Sequence, residues 1–84
     1  MATILVERSF AEPVDLDALN TLEKQFGWCM ETNGVRLLQR FVASDGRRML
    51  CVFEAPDAEA VRRVNDRAGA PYERVWSATT HRSG

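Results

Sequence analysis

One carboxylate inside an otherwise apolar β-type run is the sharpest chemical signal in this chain. Thr3-Ile4-Leu5-Val6-Glu7-Arg8 alternates as a strand does. If the β-branched Ile4 and Val6 pack under a helical layer, Leu5 and Glu7 fall on the other face of the sheet. A carboxylate there costs free energy unless it is paired, and burial favours its protonated form. Glu7 then has two readings: a general base or ligand anchor, or half of a structural ion pair with an arginine across the sheet or a subunit boundary. Gln39, Phe41, Cys51, Phe53 and Trp76 are read as lining the same cavity as Glu7. A few polar groups in an aromatic and apolar wall describe a small-molecule pocket. They also describe the core of a dimer, where Trp and Phe are enriched.

Few other side chains offer chemistry. Cys51 is flanked by Leu50 and Val52 with no histidine near it in sequence, and Cys29 lies far from a helix N-terminus that would lower its pKa. A free cysteine in such settings behaves as a small hydrophobe. Two cysteines without CxxC spacing make neither a zinc site nor a disulfide framework. His81, the single histidine, stands in the C-terminal tail, so no Ser/His/Asp or Cys/His arrangement is indicated.

The elements that must position these residues follow in a clear order. After the first strand, Asp15 is placed as an N-cap, and Leu16, Leu19, Leu22, Phe26 and Cys29/Met30 recur at helical spacing over Leu16 to Met30. Gly27 weakens that helix or permits close packing on the sheet. Asn33-Gly34 ends it. Val35 to Ala43 forms a second strand, Ser44-Asp45-Gly46 a hairpin turn, and a third strand runs through Met49 to Glu54. In the second strand, Val35, Leu37, Gln39 and Phe41 share one face. The third strand is apolar on both faces, as expected at a sheet centre with each side covered. Asp57 caps a helix whose buried stripe is Val61, Val64 and Ala68, and Gly69-Ala70-Pro71 stops it. Arg74 to Thr80 is the last strand. The plan is β-α-β-β-α-β, an α+β ferredoxin-like sandwich with antiparallel sheet order 4-1-3-2 and two helices on one face, in a single domain spanning 1–84.

Read as a whole, the chain resembles the DUF4242 family of small nickel-binding-like bacterial proteins. The resemblance is carried by Leu5-Val6-Glu7-Arg8, by Met49-Leu50-Cys51-Val52-Phe53-Glu54-Ala55-Pro56-Asp57, by Ala60-Val61-Arg62 and by Gly69-Ala70-Pro71-Tyr72-Glu73-Arg74-Val75. It implies a homodimer whose two sheets face each other as a dimeric α/β barrel, with nickel bound in some members. Where such proteins often read Trp-Val-His-Ser-Tyr-Val in the second strand, this chain has Leu37-Leu38-Gln39-Arg40-Phe41-Val42. Val64 stands where some members carry a histidine in the second helix. Nickel favours imidazole ligands, so no metal site and no cofactor are expected.

Composition narrows the partners. The net charge of −1 leaves no broad basic field for nucleic acid. The apolar runs are too short to span a bilayer, and no signal-peptide pattern is visible, so a reduced, cytoplasmic setting is expected. An 84-residue fold has a thin margin of stability that self-association commonly supplements. The sequence therefore predicts a dimer that binds a small ligand, or weakly a metal, in the barrel between subunits. The alternative is a cofactor-free barrel enzyme of the monooxygenase, isomerase or cyclase type acting on a hydrophobic substrate.

Overall fold

Alternation of β-branched and apolar residues builds the sheet from its middle outward. In the computed structural model, which describes residues 1–83, strand β1 (Ala2–Ser9) lies antiparallel between β3 (Arg48–Ala55) and β4 (Arg74–Ala78). Strand β2 (Arg36–Val42) pairs with the far side of β3. The order β2-β3-β1-β4 is the expected 4-1-3-2 arrangement read from the opposite edge. Helices α1 (Leu16–Gln25), α2 (Gly27–Thr32) and α3 (Ala58–Ala68) complete the ferredoxin-like α+β fold.

The expected continuous helix from Leu16 to Met30 is two helices. Asp15 caps α1 by accepting hydrogen bonds from the N–H groups of Asp17 (3.0 Å) and Ala18 (3.1 Å). At Phe26 the backbone leaves the helical region (φ −106°, ψ 11°). The Phe26 carbonyl then accepts from both Cys29 and Met30 as α2 starts. The break falls beside Gly27, whose backbone pays the largest entropy in a helix. A Cβ at Gly27 would meet nothing within 4 Å, so close packing is not the reason for glycine there. The turn carries Cys29 into the core, where it is almost fully buried.

The second connection behaves as its residues predict. Asp57 accepts from the Ala60 N–H at 2.8 Å, and Gly69 ends α3 in the left-handed conformation (φ 65°) that favours glycine. Helix α3 buries Ala60, Val61 and Val64 against Ile4, Val6, Cys51 and Phe53 of the sheet. It also buries Asn65, a polar residue on the same stripe. Helix α1 is held more loosely: none of its residues is buried, and Leu19 and Leu22 are half-exposed.

Two features of register decide which side chains meet. Ile4 stands opposite Phe53 and Val6 opposite Cys51, so Cys51 and Phe53 lie under the helices. The expectation that they share a face with Glu7 is therefore corrected: Glu7 stands opposite Leu50, and Cys51 and Phe53 are 2% and 6% exposed on the covered side. The second feature is an irregularity between Leu37 and Gln39. Leu38 is the extra residue of this bulge, and one inserted residue reverses which later side chains face the core. Leu37 stands opposite Phe53 on the covered face, while Gln39 stands opposite Val52 on the open one. The alternation expected to keep Leu37, Gln39 and Phe41 together is broken there.

Candidate functional site

The open face of the sheet is a grid of three rows. The first runs Arg74, Glu7, Leu50, Phe41 from β4 to β2; the second runs Trp76, Leu5, Val52, Gln39; the third runs Ala78, Thr3, Glu54, Arg36. Neighbouring strands lie about 4.8 Å apart, so each row is a continuous line of side chains. Phe41 is 52% exposed and Trp76 43%. The third row is polar and closed by an Arg36–Glu54 ion pair at 3.3 Å. The first two rows are mainly apolar, with charge at the β4 end.

Glu7 is held within this grid by a tryptophan. The Trp76 indole Nε1–H donates to Glu7 Oε2 at 2.8 Å. Trp76 pairs with Leu5, two residues before Glu7, so the contact is a diagonal one across β1 and β4. Arg74 is directly opposite Glu7, but among the described residues no ion pair joins them. A groove of about 360 Å³ opens at this end of the face, with Glu7, Phe41, Arg48, Leu50 and Glu73 among its lining residues. Of the six residues expected at one site, the structure thus keeps Glu7, Gln39, Phe41 and Trp76 on the open face. It moves Cys51 and Phe53 to the other side.

A second polar constellation, which the sequence reading missed, lies on the covered side. Arg8 continues the Ile4, Val6 alternation and is buried. Its Nη2 donates to Asn65 Oδ1 at 2.6 Å and its Nη1 to the Pro71 carbonyl at 2.9 Å. Asn65 Nδ2 in turn donates to the Val61 carbonyl at 2.8 Å. Arg40 of β2 forms an ion pair with Glu23 of α1 on the same side. The signal was present: period-two alternation through Ile4 and Val6 points Arg8 inward, and Asn65 is one helical turn from Val61. Nearby, partial burial raises the Tyr72 phenol above its ordinary pKa of 10.0, and its hydrogen bond to Asp66 (3.1 Å) adds to the rise.

Metal chemistry finds little support within one chain. Among the described residues no group of three or more His, Cys, Asp or Glu is placed to hold an ion. Glu7 and Cys51 are separated by the sheet itself. His81 Nε2 lies 2.8 Å from Thr79 Oγ1 in the tail. The donor set that nickel prefers, several converging imidazoles or thiolates, is not gathered by these residues. No helix in the described residues is long and apolar enough to cross a membrane.

Comparison with known proteins bears on fold and family. The crystal structure of SCO4226 from Streptomyces coelicolor A3(2) superimposes with a TM-score of 0.82 at 21% identity, covering 96% of this chain and all of that one. At that identity the likeness speaks for the fold. No curated protein matches the sequence. The family model described as nickel responsive protein SCO4226-like matches residues 5–77, a span from the Leu5 of β1 to just before the end of β4. The chain belongs to the SCO4226-like family of nickel-responsive proteins.

Proposed function

We propose that this protein is a small-ligand-binding protein that pairs through its open sheet face with a second copy and holds its ligand beside Glu7. The observation that carries the reading is the open face itself. Leu5, Leu50, Val52, Phe41 and Trp76 lie on the side of the four-stranded sheet opposite the buried core that α3 joins. An apolar surface of this kind marks an interaction site. A second copy would cover it with a sheet of identical pattern, closing the barrel that the family resemblance implies. Such a two-fold interface buries the same patch on both subunits.

Within that barrel Glu7 is the anchoring group. The Trp76 indole fixes its orientation through one oxygen, leaving the other free to accept from a ligand. Phe41 and Leu50 supply an apolar wall. The ligand class that fits is a small apolar molecule bearing a hydrogen-bond donor. One oriented carboxylate among apolar and aromatic side chains is arranged to hold a molecule, so binding is the reading preferred over catalysis.

Sedimentation of untagged protein at micromolar concentration tests the pairing, and native mass spectrometry of the same sample reports retained ligand. The expected mass is twice the 9.5 kDa chain. A 9.5 kDa species across that range refutes the pairing. A retained ligand whose occupancy is unchanged in Glu7→Gln refutes the anchoring role.

A further inference from the structure

Among the described residues, Arg8 is a positive charge buried without a countercharge. The residue is 7% exposed, and its two hydrogen-bond partners, Asn65 Oδ1 and the Pro71 carbonyl, are neutral. A guanidinium keeps its proton in proteins, and an ion taken out of water without an opposite charge is costly. Its Nε, and likewise the Nε of Arg40, is buried with no hydrogen-bond partner among the described residues.

Register brings these two groups to one place. On the covered face Arg8 stands opposite Met49 and Arg40 opposite Cys51. The two arginines therefore flank β3 from its two neighbouring strands, two residues apart along it. A cavity of about 50 Å³ lies there, with Arg8, Arg40, Glu23, Phe26, Met30 and Phe53 in its lining. Glu23 is the only carboxylate in that lining, and it is already paired to Arg40. Two positive charges against one negative leave the cavity one negative charge short.

We propose that this cavity binds a small monocarboxylate, its two oxygens received by the Nε–H groups of Arg8 and Arg40 and its short tail lying between Phe26, Met30 and Phe53. The chemistry selects that class. A single negative charge completes the balance. The planar guanidinium fork matches a carboxylate. Apolar walls disfavour strongly hydrated polyanions. Size limits the tail: the space of about 50 Å³ is about a third of the ~150 Å³ that admits benzene in an engineered cavity, which restricts the ligand to the smallest carboxylates, formate or acetate. The site lies across the sheet from Glu7 and stands or falls independently of the open-face reading.

Acetate titrated into the protein at constant ionic strength, with chloride as the balancing anion, tests the site. The readouts are the arginine side-chain Nε–H resonances and the thermal midpoint. Both Nε signals are expected to shift saturably, and acetate to raise the midpoint where chloride does not. Arg40→Met, which leaves the Arg8–Asn65 contact intact, is expected to weaken binding at least about tenfold, a lost charge-assisted bond. Glu23→Gln frees Arg40 from its intramolecular competitor and is expected to tighten binding up to about fivefold, the value of a partly exposed ion pair. Shifts that grow linearly without saturating, equal protection by chloride, or a Glu23→Gln protein that binds no better each overturn the proposal.

Discussion

Asn65→Ala is the perturbation that probes the covered side most directly. Asn65 Oδ1 is the 2.6 Å acceptor for a buried guanidinium, and its amide closes a second bond to the Val61 carbonyl. A hydrogen bond to a charged group contributes about 1.5–3 kcal/mol, and here its loss strips a buried cation of one of two partners. The Val61 carbonyl remains within α3, so that second bond adds only a few tenths. Alanine returns about 0.6 kcal/mol as the better helix former. The net loss expected is about 2 kcal/mol, against a total stability of about 4–12 kcal/mol for a chain of this size. In thermal terms that is a fall of about 8–16 °C. Urea unfolding followed by circular dichroism measures it, with an unchanged m-value expected because the surface exposed on unfolding is the same. A double-mutant cycle with Arg8→Met should return a coupling of at least about 1 kcal/mol. Asn65→Asp, which supplies the missing negative charge, should retain more stability than Asn65→Ala. A loss below about 0.5 kcal/mol, or strict additivity with Arg8→Met, would refute the idea that Asn65 holds the buried guanidinium.

Other expectations follow from single features. Cys29 and Cys51 are 1% and 2% exposed, so neither should react with a thiol reagent in the folded protein. Both should react in denaturant; prompt labelling of Cys51 under native conditions would contradict its placement beneath the helices. Tyr72 is the only tyrosine, so phenolate absorbance reports it alone. Its raised pKa means the fold favours the neutral phenol. That contribution is complete below the unfolded value near 10 and is lost as pH rises through the folded value, because the unfolded chain releases its proton first. Asp66→Asn should lower the folded pKa toward the ordinary value, and an unmoved titration would exclude the contact. Gly69→Ala should cost about 1 kcal/mol in urea: φ is +65° and a Cβ meets nothing within 4 Å, so the penalty is one of backbone alone.

The fold was legible because local signals agreed with one another. The Asp15 and Asp57 caps, the Asp45-Gly46 turn and the Gly69 stop all stand where residue chemistry places them, and the topology follows from the handedness of β-α-β connections. What was hidden needed partners to be seen. Gly27 marks the weak point of the first helical run, but that the run divides at Phe26 and turns Cys29 into the core is a matter of tertiary burial. The Leu38 bulge has no compositional marker, since a leucine pair reads equally well as ordinary alternation. Arg8, by contrast, was within reach. Its position in the Ile4, Val6 series pointed inward, and only the habit of placing arginine at the surface concealed it.

The misplaced face of β3 has the largest consequence for function. A strand apolar on both sides gives no internal clue to which face is covered. Cross-strand register decides it: Val6 and Ile4 draw Cys51 and Phe53 under the helices, and leave Leu50 and Val52 beside Glu7. That single choice removes the thiol from the carboxylate's side of the sheet. A mixed Glu–Cys donor set, the strongest remaining route to a metal on the open face, then has no common space to occupy. What remains there is one oriented carboxylate among apolar and aromatic side chains, an arrangement suited to holding a molecule by one hydrogen bond and its apolar surface. The buried charge chemistry lies on the other side, where Arg8 and Arg40 line a small cavity. The sheet thus separates two environments of opposite electrostatic demand, an acceptor on the open face and a donor pair beneath the helices. A small carboxylate, which suits the arginine pair, is repelled by the charge of Glu7.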